Sequence, residues 1–411
     1  MNPSMLWLKP LQLTRFMQNK LKFIQNDLAL AIILACAFRI SAFALSTLIP
    51  ISNEGGSLVS PLAPQSYSDF SFYLDSLSRY TNSWIIIFKD FSAFYIDPDW
   101  FTGDGIGSWG GPIIAQPLFP ALIFIFNFFS NETYFPLALF YLLVSCVLVS
   151  FWLTWLSSHN LNRVWLFIFA VIPNPVWFTL VISPDLVFAA LFSGFYFYYF
   201  KTAHTFRETV YWILFLFFML LTRPEGYSVL LFVALHIGWI SLRELHFKPV
   251  QIFSILFLLL FFGAFLYPYF IGEMRKAGDV LIYFGYAPQD YVLGIFPILP
   301  TWIDIPLSWV SLFCSKFLYF VGIRPSYGVT AIELVIIRGL AGIVLLPGII
   351  YLAVVAPLKE KVLIGIYLIP IILGPSQDRY YLAIYPIIFL YGVQFYNLSW
   401  RRIQLLYSKE S

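Results

Sequence analysis

An all-α, polytopic transmembrane helix bundle is the fold class that this sequence predicts, and three observations predict it. The chain is 60% hydrophobic and 11% charged over 411 residues, whereas a soluble globule carries roughly 25% charged residues. The mean hydropathy is +0.81, and charge is scarce along the whole chain, which excludes a soluble domain with one anchor. Basic residues gather at the ends of apolar runs, the pattern that orients membrane helices. At ~20 residues per span the runs give roughly 12 crossings. The expected organisation is one transmembrane domain over residues 1–411, with no soluble domain and no internal repeat.

Lys9, Arg15, Lys20 and Lys22 precede the first apolar run and place the N-terminus in the cytoplasm. The run from Leu28 to Pro50 then delivers a long loop, residues 51–134, to the other side. The stretch Pro112 to Ser130 holds three prolines and reads as an interfacial or re-entrant helix closing that loop. Crossings are expected over Tyr134–Leu156, Val164–Ile172, Leu186–Phe200, Val210–Leu221 and Tyr227–Leu242. They place the basic turns His159–Arg163, Lys201–Arg207 and Arg243–Lys248 inside. Val164–Ile172 is short for a span, so its register is soft. Later crossings are expected over Ile252–Ile271, Tyr283–Thr301, Pro306–Val321, Glu333–Ala356, Val362–Leu373 and Ala383–Tyr396. Pro357–Lys361 and Arg401–Arg402 are then cytoplasmic.

The first outer loop is where chemistry is expected. Between Ile51 and Pro112 it carries Glu54, Asp69, Asp75, Asp90, Asp97, Asp99 and Asp104, a third of the chain's 21 acids. Carboxylates against a membrane are costly unless they stay wet or act. Asp69 in YSDFSFY is flanked by aromatic residues, which desolvate a carboxyl and raise its pKa toward that of a general base. It is equally well placed to cap a helix. Asp97 and Asp99 form an Asp-x-Asp pair that can hold a divalent ion such as Mg or Mn on phosphates; a turn at Pro98 explains the pair as well.

Charge beyond that loop is sparse and placed at helix ends. Asp185 lies in ISPD, and Arg223 and Glu225 lie in TRPEG, where Pro224 breaks the helix. This pair reads either as a local ion pair in a turn or as an arginine facing a lipid phosphate. Arg379 and Tyr380 in QDRYY offer a second arginine suited to phosphate. Arg39 lies inside the first span, either paired internally or reaching loop carboxylates or phosphate. Cys36, Cys146 and Cys314 lie in apolar segments and read as small buried hydrophobes. No glycine-rich nucleotide loop, metal-binding His pair or nucleophile elbow is present, which counts against a nucleotide-driven pump and a cytosolic nucleotide-sugar transferase. The net charge of +3 carries no nucleic-acid signal.

These pieces together resemble the GT-C superfamily, multi-pass glycosyltransferases that use polyprenyl-phosphate sugars on the outer face. The resemblance is carried by Asp69 in the first outer loop, PLFP at Pro117–Pro120, Ser183–Asp185, Arg223–Gly226, and Arg379-Tyr380 ahead of Tyr385-Pro386. It looks like the mannosyltransferase-like branch. It implies that Asp69 deprotonates an acceptor hydroxyl, which attacks the anomeric carbon with inversion. The lipid phosphate leaves with its charge matched by Arg223 or Arg379. Many members carry Asp-Glu in the first loop where this chain has Asp69-Phe70, so a metal or second-carboxylate role would fall to Asp97 and Asp99, which nothing in the sequence places beside Asp69. The expected partners are a polyprenyl-phosphate-sugar donor, a glycan or lipid-linked acceptor and membrane lipids. The expected location is a bacterial inner membrane with the site facing outward. The alternatives are a polysaccharide polymerase or ligase, and a transporter or flippase of lipid-linked oligosaccharide.

The topology makes a direct prediction. Cysteines introduced at Ser68 and Ser108 are expected to react with an impermeant maleimide in intact cells. Labelling only after permeabilisation would invert the orientation.

Overall fold

The computed structural model describes residues 10–48, 51–52, 58–59, 118–130, 134–159, 161–172, 176, 181–201, 205–223, 225–243, 332–373 and 378–410, with isolated positions between 300 and 321. The fold is all-α. In chain order the helices are α1 (Pro10–Leu48), α2 (Leu118–Ser130), α3 (Phe135–Ser158), α4 (Arg163–Val171), α5 (Pro184–Tyr199), α6 (Phe206–Leu220), α7 (Glu225–Arg243), α8 (Ile332–Val355), α9 (Leu358–Leu373) and α10 (Tyr385–Glu410). A 3-10 helix, η1 (Asp378–Ala383), precedes α10. Two-residue strands Ile51–Ser52 and Leu58–Val59 pair antiparallel. The expected crossings at 252–271 and 283–301 lie outside the described residues.

Within α1, Asn26–Leu48 is long and apolar enough to cross a membrane, and so is α3. Among the described side chains of α1, Ala31, Ala35, Arg39, Phe43 and Ser46 are buried, spaced four, four, four and three residues apart and therefore on one face. That face packs on α3 and α4, and its alanines let the backbones approach closely. Leu30, Ile33, Leu34, Ile40 and Leu45 cover the rest of the helix and are exposed. Outward-facing apolar side chains recur on α6 and α8, at Ile213, Phe217, Ile343, Ile350 and Val354. Meanwhile Arg39, Asp185 and Glu225 are buried. Apolar outside and polar inside is the arrangement a lipid solvent favours.

Helix α5 is the centre. Leu186, Phe188, Ala189, Phe192 and Phe195 are buried, and the helix contacts α3, α6 and η1. Helix α6 begins at Phe206, four residues before its apolar run, because Thr205 and Glu208 form a capping box. A hydrogen bond from Lys201 lowers the pKa of the Glu208 carboxyl to about 2. Helix α2 has 13 residues, about 20 Å, short of the ~30 Å hydrocarbon thickness. Helix α10 continues through Arg401 and Arg402, well past the expected end of its apolar run at Tyr396.

Helix α8 runs unbroken through an internal proline. Pro347 lies inside α8 and has no N–H for the carbonyl of Ile343 one turn earlier. The Tyr396 hydroxyl of α10 donates to that carbonyl at 2.7 Å. Beside it the two helices meet backbone to backbone. A Cβ on Gly348 would strike the Ile388 carbonyl oxygen, and one on Gly392 would strike that of Val344. The ends of the bundle are also distinct. Lys359 donates to the Tyr199 carbonyl, and Tyr196 and Tyr391 both donate to Glu360 at 2.9 and 2.5 Å. This joins the α8–α9 turn to the C-terminal end of α5, beside Lys201 and the start of α6. The N-terminal end of α5 lies at the other end of the bundle, with Arg223 and η1.

The close approach predicts a contrast between glycines. Gly392→Val is expected to push α10 off α8 and lower stability in detergent by about 1–3 kcal/mol, the usual cost of overpacking. Gly365 has open space around its Cβ position, so Gly365→Ala is expected to leave the melting temperature unchanged or raise it slightly. Equal effects at the two positions would refute the close approach.

Candidate functional site

Three short polar motifs that are far apart in sequence meet at the N-terminal end of α5. Pro184 occupies the first turn of α5 and Ser183 is extended before it, so Asp185 enters the first turn, where the helix dipole favours a carboxylate. The Ser183 hydroxyl donates to Asp185 at 2.8 Å. The carbonyl of Ser183 accepts from the Tyr141 hydroxyl of α3 at 2.8 Å, which fixes the turn to the core.

The second motif joins α6 to α7. Arg223 follows the last turn of α6, its N–H donating to the Met219 carbonyl at 3.1 Å. Gly226 lets α7 start directly against that turn, since a Cβ there would lie 2.8 Å from the Met219 carbonyl. The guanidinium of Arg223 donates from Nε and Nη2 to the two oxygens of Glu225, each at 2.9 Å, and from Nη1 to Asp185. The first pair is a fork-to-fork contact. Asp185 is 5% and Glu225 8% exposed, so this is a buried cluster and not a surface pair. Burial opposes the charge of Arg223, yet the attraction of Asp185 and then Glu225 outweighs it and raises its pKa.

The third motif closes the cluster. The Tyr380 ring of η1 lies 4.7 Å from the Arg223 guanidinium carbon, a cation–π contact. The Tyr380 carbonyl accepts from the buried Tyr367 hydroxyl of α9 at 2.9 Å. Asp185, the Arg223–Glu225 pair and Tyr380, which the sequence offers as three separate motifs, are therefore one constellation. Sequence reasoning missed Tyr141 and Tyr367, which lie on apolar helix faces and show no spacing that sets them apart.

Arg39 is elsewhere. It is 1% exposed and donates to Ser145 Oγ at 3.1 Å, to the Ala35 carbonyl at 3.1 Å and to the Ala170 carbonyl at 3.5 Å. Ala170 is in the last turn of α4, a helix of nine residues, about 14 Å long and too short to span. Arg39 thus supplies donors where a buried helix stops, and the negative end of the α4 dipole offsets its charge. Among the described residues no carboxylate pairs with it.

Asp69, Asp97 and Asp99 lie outside the described residues. The backbone of Arg379 is part of η1; its side chain lies outside them. Among the described residues no three His, Cys, Asp or Glu side chains group to hold a metal. Neither family models, curated proteins nor solved structures match the chain.

The buried cluster predicts a specific order of stabilities. Arg223→Met leaves two buried carboxylates without their cation, and the expected loss is roughly 3–5 kcal/mol. Adding Asp185→Asn and Glu225→Gln to Arg223→Met is expected to restore part of it, because the uncompensated charge is removed. Detergent melts of the single and triple variants check this, and a triple variant less stable than the single one would contradict it.

Proposed function

We propose that this chain is an integral-membrane, multi-pass glycosyltransferase. It transfers a hexose such as mannose from a polyprenyl-phosphate donor to a lipid-linked glycan or cell-surface polymer at the non-cytoplasmic face. The observation that carries the reading is the convergence of Asp185, Arg223, Glu225 and Tyr380 at one end of the bundle. The basic turn at Lys201 and the Lys359–Glu360 turn meet at the other end. Under the positive-inside rule the basic end is cytoplasmic, so the cluster faces outward, where the first acidic loop is also delivered.

The reaction is a displacement at the anomeric carbon. The acceptor oxygen forms the new bond as the bond from the anomeric carbon to the phosphate oxygen breaks, with inversion. The acceptor proton passes to Asp69, and the charge on the departing phosphate is matched by Arg223 or Arg379. A second reading, a flippase for lipid-linked oligosaccharide, is favoured by one observation: the buried Arg39 at the end of the short helix α4. Transporters build substrate sites from such mid-membrane helix ends.

Replacing Asp69 separates these readings. Asn keeps the shape and capping ability of Asp but accepts no proton. Asp69→Asn is expected to lower sugar transfer from a polyprenyl-phosphate sugar by about two to four powers of ten, with donor affinity little changed. Near-full activity in Asp69→Asn together with its loss in Asp97→Asn would move the site to the Asp-x-Asp pair. Translocation of the lipid without sugar transfer by the wild type would support the flippase.

A further inference from the structure

The end of the bundle opposite the Arg223 cluster carries more cations than carboxylates to meet them. The α5–α6 and α8–α9 turns hold Lys201, Arg207, Lys359 and Lys361 against two acids, Glu208 and Glu360. Glu208 is taken by Lys201 at 2.7 Å. Glu360 stands between two lysines in sequence, yet its oxygens accept from phenols, Tyr196 at 2.9 Å and Tyr391 at 2.5 Å. Arg207, Lys359 and Lys361 have no carboxylate partner among the described residues. They donate instead to neutral acceptors: Arg207 to the Tyr211 hydroxyl at 2.6 Å, Lys359 to the Tyr199 carbonyl at 3.1 Å and Lys361 to the Val354 carbonyl at 2.8 Å. An ammonium has three N–H groups and a guanidinium five, so most of the donors on these three cations are left for an outside ligand.

The two turns meet as one surface. Lys359 Nζ lies 4.2 and 4.5 Å from the ring centroids of Tyr199 and Phe200, and Lys201 Nζ lies 4.8 and 5.2 Å from those of Phe197 and Tyr198. Both lysines therefore sit on the last turn of α5, and Lys201 holds the neighbour of Arg207. Large apolar side chains stand among the cations and face outward. Phe206 is 87% and Leu358 69% exposed, and each is next in sequence to an unpaired cation, Arg207 and Lys359. Exposed apolar groups beside cations that lack carboxylates fit an anionic lipid, whose phosphate meets the charge while its acyl chains cover the apolar groups. A soluble anion would leave Phe206 and Leu358 in water, and a zwitterionic lipid brings a cation of its own.

We infer that Arg207, Lys359 and Lys361, with Phe206 and Leu358 between them, form a binding surface for the headgroups of anionic phospholipids in the leaflet at this end of the bundle. The cations donate to the lipid phosphate, and the two apolar side chains enter the upper acyl region. The inference needs only that the bundle lies in a membrane. It is independent of sugar transfer.

The test uses the full-length protein in detergent micelles containing either phosphatidylglycerol or phosphatidylcholine, with bound lipid read by native mass spectrometry and stability by melting temperature. Phosphatidylglycerol is expected to bind in preference and to raise the melting temperature, as a ligand of the folded state does. Lys361→Gln and Arg207→Gln keep an N–H donor but remove a charge. Each is expected to weaken phosphatidylglycerol binding about five-fold, the worth of one basic residue at a lipid surface, and to melt like the wild type in phosphatidylcholine. Arg163 is a cation of the same end that is paired with Asp27 at 3.5 Å, and Arg163→Gln is expected to leave phosphatidylglycerol binding unchanged. An equal loss in Arg163→Gln would make the preference a diffuse effect of net charge and overturn the surface. Equal binding of the two lipids by the wild type overturns it as well. Stabilisation by glycerol phosphate alone, as large as that by the lipid, would make the ligand a free phosphate and overturn the lipid assignment.

Discussion

A guanidinium held by two carboxylates in a nearly water-free place ties four parts of this protein together. Arg223 reaches Asp185 at the start of α5 and Glu225 at the start of α7, while its own backbone closes α6 and its face meets Tyr380 of η1. Each partner alone would be an expensive group to bury. Together they satisfy one another, and their positions become mutually dependent. The central helix, the α6–α7 junction and the segment leading into α10 are thereby fixed at one end of the bundle.

The opposite end is built differently. Glu360 accepts from Tyr196 of α5 and Tyr391 of α10, and Lys359 donates to the last carbonyl of α5 while lying over the rings of Tyr199 and Phe200. Burial lowers the pKa of Lys359. Tyr199 shares a hydrogen bond with His236 of α7. Beside the Lys201–Glu208 ion pair, phenols and aromatic faces satisfy Glu360 and Lys359 here. Such groups place a polar tip beside an apolar body, as an interface requires.

Between the ends, the constraint is backbone satisfaction. In an apolar medium every N–H and carbonyl needs a partner inside the protein. Pro347 leaves one carbonyl free, and Tyr396 takes it. Helix α4 stops early, and Arg39 takes a carbonyl of its last turn. Both donors come from another helix, so these carbonyls also determine which helices lie side by side. Phe169 of α4 stacks on Tyr385 of α10 at 5.0 Å, next to the Arg39 site.

The sequence by itself determined the helical class and most of the helix positions. Apolar run length and the charges that bound it are local properties, and they placed α3, α5, α7, α8 and α9 within a few residues. It missed the early start of α6, which depends on the Thr205–Glu208 cap, and the extension of α10, where Arg401 and Arg402 interrupt the apolar run although the helix continues. For the cluster, the sequence supplied the residues but not their union. Asp185, Arg223 and Tyr380 are 38 and 157 residues apart, first to second and second to third, and no periodicity links them. Tyr367 resembles any polar residue on a buried helix face until its neighbours are known. Only the packing of α5 against the α6–α7 junction and η1 decides which charges meet, because an ion pair depends on distance in space and the sequence records only distance along the chain.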